Sequence, residues 1–517
     1  MSEQSDMSVS IIGAGMGGLS AALTLASQNV QVTVFEKEDY AGGKIRQIQS
    51  SVGLIDTGPT VVTMRPVFEQ LFRNSGAELT DYVELKQHDL LARHFWSDGT
   101  QLDLFTNTQR NKREIARVFG SQAMHDYERF ETETAALFDA FEIPVMQSTK
   151  IDLKQVVLNT LRTPKIWPAM RHGSLDGYLS ARFSEPRLRQ LFGRYATYVG
   201  GSPLKSPALL ALIWQAERRG VWSIKGGVGA LATAIQTRAE ELGARFHFSA
   251  PVKEIQIENQ RAVGLKTENG TFHRADAVLF NGDPCALARA ALGQSAATAV
   301  AEKPLRKRSL SANVWAFAAD PGDFPLAHHN VFFADRANSE FGEIANGQHP
   351  TDPTLYVCAQ DFDHTRAKGP QRFEIIMNAP AGAHHRPDED ILCHHLCFQR
   401  LQTFGLHLKP PDLKDSLITP KIFAQRYPES SGSLYGQTPH GMMASFRRPT
   451  IRSRIPNLYL AGGGVHPGPG IPMACLSGQH AGAAMIKDQT LRSKFHQMDM
   501  PGGISMESQI AAPMQSR

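Results

Sequence analysis

The sequence predicts an α/β fold: a Rossmann-like nucleotide-binding domain assembled from three chain segments, with an inserted α+β substrate domain between them. Three features predict it: a βαβ unit at the start of the chain, a second α/β block near the middle, and a strand–glycine loop–helix block near the end. We assign to the nucleotide domain residues 8–85, 220–300 and 415–487, and to the substrate domain residues 86–219 and 301–414.

The first segment begins with an apolar strand, Val9–Ile12, which stops at Gly13. A helix follows the glycines, with apolar residues at steps of three and four, and a second strand, Val30–Phe35, ends at Glu36. Strand, glycine turn, helix and strand in this order form the pattern of a βαβ unit.

The later segments repeat the alternation of helices and strands. The pattern predicts a helix over Gly229–Leu242 and strands over Phe246–Phe248, Val252–Ile257 and Ala277–Phe280. The last block reads as a strand, Leu458–Leu460, and a helix, Ala474–Ile486. Residues 488–517 show no apolar period, so we expect a disordered tail there.

Composition limits the class of protein. An apolar content of 42% and a charged content of 20% are ordinary for a folded enzyme, and a net charge of +4 over 517 residues gives no support to a nucleic-acid partner. Five scattered cysteines do not form a disulfide framework. The first residues lack a basic signal region, and no run of eighteen apolar residues occurs. We therefore expect a cytoplasmic protein whose membrane contact, if any, is peripheral and on the inner face of the cell membrane.

The glycine turn of the first segment carries the nucleotide signal. Gly13 permits a tight turn, Gly15 lets the backbone approach a pyrophosphate, and Gly18 allows close packing of helix on strand, with Gly17 between them. Phosphates would lie over the N-terminus of the helix, where free N–H groups and the helix dipole favour an anion. Glu36 closes the next strand, where a carboxylate can accept hydrogen bonds from both ribose hydroxyls.

Two further segments indicate FAD as the nucleotide. A second glycine pair, Gly42-Gly43, precedes Lys44, and a nicotinamide nucleotide does not need such a pair. Near the end, the glycine- and proline-rich segment Ala461–Met473 lies between a strand and a helix, with Pro472 at the start of that helix. The N-terminus of this helix would stabilise negative charge on a reduced flavin.

Several blocks of sequence resemble the bacterial phytoene-desaturase-type carotenoid desaturases, which belong to the superfamily of flavin amine oxidases. The resemblance covers about residues 8–487 and is strongest to the 1-hydroxycarotenoid 3,4-desaturases, also called methoxyneurosporene dehydrogenases. The blocks are Gly58–Arg65, Phe192–Pro203, Ser433–Gly436, Ala444–Pro449 and His466–Met473.

This resemblance implies an FAD-dependent oxidoreductase that removes two hydrogens from an acyclic, 1-hydroxylated carotenoid and extends its conjugated polyene (C-3,4 desaturation). A hydride would pass to the flavin from an allylic carbon, and a proton would leave the neighbouring carbon. It implies contacts to FAD from Gly13, Gly15, Gly17, Gly18, Glu36, Gly43, Lys44, Gly58, Gly464, Pro472 and Met473. The backbone of Val252 would contact the adenine.

No catalytic base follows from the sequence. Five polar residues lie within the blocks of resemblance and are candidates for the reaction, although each is also a reasonable structural hydrogen-bonding residue: Arg65, Arg194, Tyr195, Tyr198 and His466.

Two other patterns have structural alternatives. Cys393 and Cys397 share a helix face, but two cysteines without a second ligand pair do not predict a zinc site, and no metal is expected. The basic, amphipathic stretch Leu153–Arg162, followed by Trp167, could lie on a membrane and admit a carotenoid from lipid, or could simply pack between domains.

Other functions stay open from sequence alone. A phytoene or neurosporene desaturase of the same family is one alternative, and a flavin amine oxidase or protoporphyrinogen-type oxidase is another. From a different class, the chain could be a non-catalytic flavin-binding escort protein, although both flavin segments are intact.

Overall fold

A computed structural model describes residues 7–362, 369–382 and 387–498 of the chain. The strands are β1 (Ser8–Ile12), β2 (Gln31–Phe35), β3 (Arg46–Ser50), β4 (Gly53–Thr57), β5 (Leu85–His88), β6 (Leu90–Phe95), β7 (Gln101–Phe105), β8 (Val221–Ile224), β9 (Arg245–His247), β10 (Val252–Glu258), β11 (Arg261–Thr267), β12 (Phe272–Arg274), β13 (Ala277–Phe280), β14 (Ser311–Ala319), β15 (His329–Phe332), β16 (Leu355–Ala359), β17 (Gln371–Ala379), β18 (Leu417–Ile418) and β19 (Leu458–Leu460).

The α-helices are α1 (Met16–Ala26), α2 (Arg65–Asn74), α3 (Thr108–Phe119), α4 (Ser121–Phe141), α5 (Leu153–Arg162), α6 (Trp167–Met170), α7 (Leu175–Arg182), α8 (Pro186–Gly193), α9 (Ile213–Arg218), α10 (Gly229–Glu241), α11 (Pro284–Ala288), α12 (Glu302–Leu305), α13 (Ser339–Ala345), α14 (Pro387–Thr403), α15 (Leu413–Ser416), α16 (Pro420–Arg426) and α17 (Ile471–Met498). Short 3₁₀ turns include Arg194–Val199 and Ala208–Leu212, and a π turn covers Glu142–Met146.

A five-stranded parallel sheet confirms the predicted nucleotide-binding fold. Its order is β19–β13–β1–β2–β9, and each neighbouring pair is parallel. The strands come from the three predicted segments, because β1 and β2, then β9 and β13, then β19 lie far apart in sequence. Their side chains are mostly buried, as expected for a parallel sheet with helices on its faces.

Helices α1 and α17 pack against each other at very short distance. Both carry small residues at their contact: a Cβ on Gly478 would lie 2.1 Å from the carbonyl oxygen of Gly17, and one on Gly482 would lie 3.0 Å from the side chain of Thr24. The last segment of the chain is thereby fixed on top of the first glycine turn.

Helix α17 continues past residue 487, where the sequence predicts the folded region to end. Asp488 explains part of this extension, because its carboxylate accepts hydrogen bonds from the Arg452 guanidinium (2.9 Å) and the Tyr459 hydroxyl (2.7 Å). Residues 499–517 lie outside the described residues.

A second, mixed sheet of seven strands lies in the inserted region, in the order β18–β14–β17–β16–β15–β6–β7. Helices α3 to α9 form a separate apolar core beside it, built around Phe130, Phe192 and Trp214. The short strand β18 pairs with β14 and so belongs to this sheet, although it follows residue 415, where the sequence places the start of the last nucleotide-domain segment. Short pairing regions of this kind have no sequence period long enough to be recognised.

Candidate functional site

The first glycine turn is held by backbone and carboxylate contacts at the carboxyl ends of β1 and β2. Gly13 has a φ of +95°, which favours glycine, and its N–H donates to the Phe35 carbonyl at 2.8 Å. The buried Glu36 accepts a hydrogen bond from the Ala14 N–H at 2.7 Å through one oxygen, and from the Glu38 N–H at 3.0 Å through the other. Glu36 therefore ties the end of β2 to the turn where the sequence predicts the ribose and pyrophosphate.

No side chain caps the N-terminus of α1. Its N-cap residue, Gly15, makes no side-chain capping bond, and the first turn holds no acidic residue. An anion is therefore the natural partner for the free N–H groups of this turn.

Asn281 is a site residue that the sequence reasoning missed. It follows β13 directly, and its side-chain N–H donates to the Gly13 carbonyl at 3.1 Å. A Cβ on Gly17 would lie 2.6 Å from the Asn281 side-chain oxygen and 2.6 Å from the backbone N of Gly462, so the three glycine-bearing segments meet at this amide. A polar residue at the carboxyl end of a buried parallel strand was the available signal.

The second glycine pair lies against the first turn. Gly42 and Gly15 form a parallel bridge, and the Gly42 N–H donates to the Ala14 carbonyl at 2.9 Å. Gly58 then crosses this segment closely, since a Cβ there would lie 2.4 Å from the Lys44 carbonyl oxygen. Gly43, Lys44 and Gly58 are thus brought together with Gly15, as the sequence predicts for one cofactor site.

A buried carboxyl group on the seven-stranded sheet contacts the segment of Gly58. Glu374, on β17, accepts hydrogen bonds from the Gly58 N–H at 2.6 Å and from the Thr60 hydroxyl at 3.1 Å. Burial raises the pKa of Glu374 to about 8, because the carboxylate has little access to water. Glu374 therefore joins the seven-stranded sheet to the segment that follows β4, at the edge of the predicted flavin position.

Four charged residues form a cluster, which we call the basic cluster: Lys44, Arg308, Arg448 and Asp283. Arg308 and Asp283 form a buried ion pair. Lys44 donates to the Leu434 carbonyl, and its side chain still borders open space. Arg448 donates to the carbonyls of Gly463 (3.1 Å) and Gln437 (3.0 Å).

The basic cluster has more positive than negative charge. Burial lowers the pKa of Lys44 to about 8 and that of Arg448 to about 10; Asp283 opposes both shifts, while Arg308 adds to them. Three cations facing one carboxylate are poorly compensated, so a bound anion would relieve this excess.

The C-terminal glycine- and proline-rich segment faces the same region. The Gly462 N–H donates to the Ser477 hydroxyl at 2.7 Å, and a Cβ on Gly464 would lie 2.6 Å from the ring of Pro284. Pro472 lies in the first turn of α17, where a missing N–H breaks no helical hydrogen bond. The N-terminus of α17, with Pro472 and Met473, lines a cavity.

This cavity has a volume of about 550 Å³ and a mostly apolar wall. It connects two of the predicted flavin-contact segments with the inserted domain, because Gly58, Thr60, Pro472 and Met473 line one part of it. Its other walls include apolar residues of the π turn and of the helical core, such as Val145, Met146, Ile151, Leu209 and Ile213. Such a space suits a long apolar ligand that ends beside the cofactor.

Two of the five candidate residues for the reaction lie in the cavity wall. Arg194 and Tyr198 line it, together with Glu217 of α9, which the sequence reasoning did not single out. The Tyr198 hydroxyl donates to a Glu217 oxygen at 2.7 Å, and both Arg194 terminal nitrogens lie 3.4 Å from the Tyr198 oxygen.

The other three candidates do not line this cavity. Arg65 forms an ion pair with Glu69 at 2.7 Å, one turn along α2. Tyr195 is fully buried in the helical core. His466 is also buried, and its ring nitrogen lies 2.8 Å from the Ser148 carbonyl oxygen.

Val252 lies at the start of β10, paired with Thr267. The preceding residues run beside the end of β2, since the Ala250 N–H donates to the Glu36 carbonyl at 2.8 Å. The backbone of Val252 is therefore near the carboxylate that the sequence predicts for the ribose.

The two cysteines considered for a metal site are buried within the fold. Cys393 and Cys397 are buried on the inner face of α14, and His394 accepts a hydrogen bond from the Trp315 indole at 3.1 Å. Elsewhere among the described residues, ring nitrogens of His88, His328 and His329 lie within 4.8 Å of one another, and burial strongly lowers the pKa of His329.

Helix α5 displays an apolar stripe on the surface. Leu153, Val157 and Leu161 are 57%, 56% and 65% exposed, one turn apart, and Trp167 follows at 40%. Leu158 is only partly exposed, so it is not part of this stripe. In the part of the chain that the model describes, no helix combines the length and apolarity that a bilayer span requires.

Comparison with known proteins places the chain in a family. The chain matches the model of the family described as flavin containing amine oxidoreductase over residues 16–486. It is 46% identical to a hydroxyneurosporene desaturase of Cereibacter sphaeroides, covering 94% of this chain and 99% of the relative. A hydroxyneurosporene desaturase of Rhodobacter capsulatus is 44% identical over 95% and 100% of the two chains.

More distant relatives and solved structures share the fold. A 4,4′-diapolycopene oxygenase of a Methylomonas species is 31% identical, covering 94% of this chain and 100% of the relative. A putrescine oxidase variant superposes with a TM-score of 0.60 at 13% identity, over 93% and 99% of the two chains. A cyclohexylamine oxidase of Brevibacterium oxydans gives a TM-score of 0.57 at 16% identity, over 94% and 98%.

Proposed function

The chain belongs to the flavin-containing amine oxidoreductase family, and within it to the carotenoid desaturases, and on that premise we propose that it desaturates an acyclic, 1-hydroxylated carotenoid at C-3,4 with FAD. The near full-length identity to hydroxyneurosporene desaturases carries this proposal. The apolar cavity supports it, because a polyene has no polar groups along its length and needs a wall of this kind.

The residues around the glycine turns fit FAD. The turn from Gly13 to Gly18 offers an uncapped helix N-terminus for the diphosphate, and Glu36 lies where a ribose would be. Lys44 and Arg448 supply the positive charge that an anionic cofactor would balance. Gly58, Gly464, Pro472 and Met473 would contact the flavin end.

When bound, FAD would supply the two-electron oxidant of the reaction, since the cofactor carries the hydride chemistry. The chain contributes position and charge. Pro472 and Met473 hold the N-terminus of α17 at the cavity wall, and the basic cluster favours negative charge nearby. The apolar wall excludes water and holds the polyene in one orientation.

We also propose that the protein takes its substrate from a membrane surface. Leu153, Val157, Leu161 and Trp167 form an exposed apolar stripe, and basic residues Lys154, Arg162 and Lys165 surround it, which favours an anionic lipid surface. The stripe lies next to the cavity along the chain, because Val145, Met146 and Ile151 line the cavity just before α5 begins.

The function is tested by pigment analysis in cells that make acyclic carotenoids. Co-expression with 1-hydroxylated neurosporene or lycopene precursors should give a product whose absorption is shifted to longer wavelength, because the conjugated chain has grown. If the protein oxidises amines and leaves every acyclic carotenoid unchanged, it is an amine oxidase and the proposed function is wrong.

A further inference from the structure

A polar group of side chains interrupts the apolar wall of the cavity. Arg194 and Tyr198, on the 3₁₀ turn Arg194–Val199, face Glu217 on α9, and all three line the cavity. The Tyr198 hydroxyl donates to one Glu217 oxygen at 2.7 Å. Glu217 is buried, with 3% of its surface exposed, so water does not solvate its charge.

The three side chains have unused hydrogen-bonding capacity. The terminal nitrogens of Arg194 make long contacts, of 3.4 Å, to the Tyr198 oxygen. The Arg194 Nε–H also has no partner among the described residues, but it has no exposed surface through which a ligand would reach it. The Glu217 carboxylate can accept more bonds than the one from Tyr198. Burial raises the pKa of Glu217, while Arg194, Tyr198 and Tyr195 lower it. Tyr198, Glu217 and Tyr195 raise the pKa of Arg194 despite its burial. A buried polar group lowers the free energy of unfolding when its hydrogen bonds are left unmade, and a bound ligand would supply the missing partners.

We propose that Arg194, Tyr198 and Glu217 form the subsite that binds the 1-hydroxyl group of the carotenoid. The substrate O–H would donate to the Glu217 carboxylate, which Tyr198 orients, and its oxygen would accept from a terminal N–H group of Arg194. This subsite rests on the proposed function, and it explains why a cavity for a polyene contains a buried carboxylate and guanidinium.

The position of the subsite agrees with the chemistry. In a 1-hydroxylated carotenoid the oxygen lies roughly 5 Å from C4, as a few single bonds allow, so a C-3,4 desaturase must bind that hydroxyl close to its flavin. Tyr198 and Tyr356 both line the cavity. Tyr356 in turn lies 3.1 Å from the hydroxyl of Thr60, which shares the cavity wall with Gly58.

A role in proton transfer is the main competing interpretation. A base that accepts the substrate proton would be needed equally by hydroxylated and non-hydroxylated carotenoids. A hydroxyl-binding subsite is needed only by the hydroxylated one. The ratio of kcat/KM for the two substrates therefore separates the two roles.

The experiment compares FAD-loaded wild-type protein with Tyr198→Phe and Glu217→Gln on a carotenoid with and without the 1-hydroxyl, supplied in liposomes. Wild type should prefer the hydroxylated substrate. Glu217→Gln should lose on the order of 10- to 100-fold in kcat/KM for that substrate, as expected for a lost hydrogen bond to a charged group. Tyr198→Phe should lose less, because it removes only the hydrogen bond that orients the Glu217 carboxylate. Both variants should change little with the other substrate.

A second Tyr–Glu–Arg group gives a matched control. The Tyr178 hydroxyl donates to Glu133 at 2.7 Å and Arg182 donates to the same oxygen at 2.6 Å, outside the cavity wall. Tyr178→Phe and Glu133→Gln should leave the substrate ratio unchanged. Flavin content and melting temperature report folding of every variant, and Tyr198→Phe alone decides the outcome if Glu217→Gln does not fold.

The proposed subsite is contradicted if the variants lose kcat/KM equally for both substrates. It is also contradicted if wild type desaturates both substrates with the same kcat/KM. If wild type desaturates neither substrate, the proposed function fails and the subsite fails with it.

Discussion

At the scale of single residues, Lys44 determines how the predicted diphosphate site responds to pH. Its pKa is lowered to about 8 by burial, with Arg308 adding to the shift and Asp283 opposing it. A bound diphosphate favours the protonated ammonium, so FAD binding should take up a proton once pH exceeds that pKa.

We predict that the affinity for FAD falls as pH rises through about 8, by at most about tenfold per pH unit. Lys44→Arg should keep its charge and remove the dependence, and Lys44→Met should bind weakly at every pH. Titration of apoprotein with FAD between pH 6.5 and 9.5, followed by flavin fluorescence, measures this. An unchanged slope in Lys44→Met would show that another group titrates.

Lys44 and Asn281 illustrate what residue patterns can predict. The glycine pair before Lys44 is a local motif, so the sequence alone predicts Lys44 as a site residue. Asn281 lies in a short stretch that reads as a turn, and its contacts to Gly13 and to the segment of Gly462 join residues far apart in sequence. Glu217 was missed for the same reason, since no local pattern shows which helix residue faces a cavity.

At the scale of secondary-structure elements, the contact between α1 and α17 depends on missing side chains. Gly478 packs on the Gly17 carbonyl, where a Cβ would lie at 2.1 Å, whereas a Cβ on Gly482 would lie 3.0 Å and 3.1 Å from the Thr24 Cγ2 and Cβ.

We predict that Gly478→Ala separates the two helices and lowers both stability and flavin content, with a cost of about 1–3 kcal/mol in stability from overpacking. Gly482→Ala should cost less, because a shift of a few tenths of an ångström relieves its contact with Thr24. Thermal melting and the flavin absorbance of purified protein test the pair. Equal losses in both variants would mean that the contact at Gly17 is not special.

The exposed stripe of α5 gives a second prediction for an element. Val157→Asp combined with Leu161→Asp and Trp167→Asp should reduce sedimentation with anionic liposomes, because each charge would have to enter the lipid surface. Asp substitutions at three exposed, uncharged positions of other helices, Thr132, Thr233 and Thr237, change the net charge by the same amount and serve as control. Unchanged sedimentation of the folded α5 variant would remove the membrane proposal.

At the scale of the whole molecule, Glu374 joins the seven-stranded sheet of the inserted region to the cofactor segment that follows β4. It extends from β17 to the Gly58 N–H and the Thr60 hydroxyl, and its pKa is raised to about 8. The folded protein therefore holds a proton that the unfolded chain releases above about pH 4.3.

Because the folded state binds the extra proton, the contribution of Glu374 to stability should fall as pH rises from about 5 to 8. Buried histidines whose pKa is lowered, such as His329 and His440, act in the opposite direction, so the contribution is measured as the difference between wild type and Glu374→Gln. Glu374→Gln should flatten this dependence, with a change on the order of a few kcal/mol. Melting temperatures of apoprotein across this range measure the effect. A wild-type profile that rises with pH and is matched by the variant would contradict the assignment.

The nucleotide-binding fold was predictable because its strands are short, apolar and followed by glycine turns that need no distant partner. The seven-stranded sheet was not, since β6 pairs with β15, more than two hundred residues away, and only the folded chain fixes their register. The three cofactor segments could be predicted separately, but their meeting at Asn281 and at the basic cluster required the structure.

The central claim is that the chain removes two hydrogens from a hydroxylated polyene at its own flavin site. Anaerobic mixing of FAD-loaded protein with a 1-hydroxylated acyclic carotenoid in liposomes tests it in a single turnover. We expect the flavin absorbance to bleach while a product appears that has two fewer hydrogens by mass and absorbs at longer wavelength, in equal amount to the reduced flavin. A flavin that stays oxidised with this substrate but bleaches with an amine would contradict the claim.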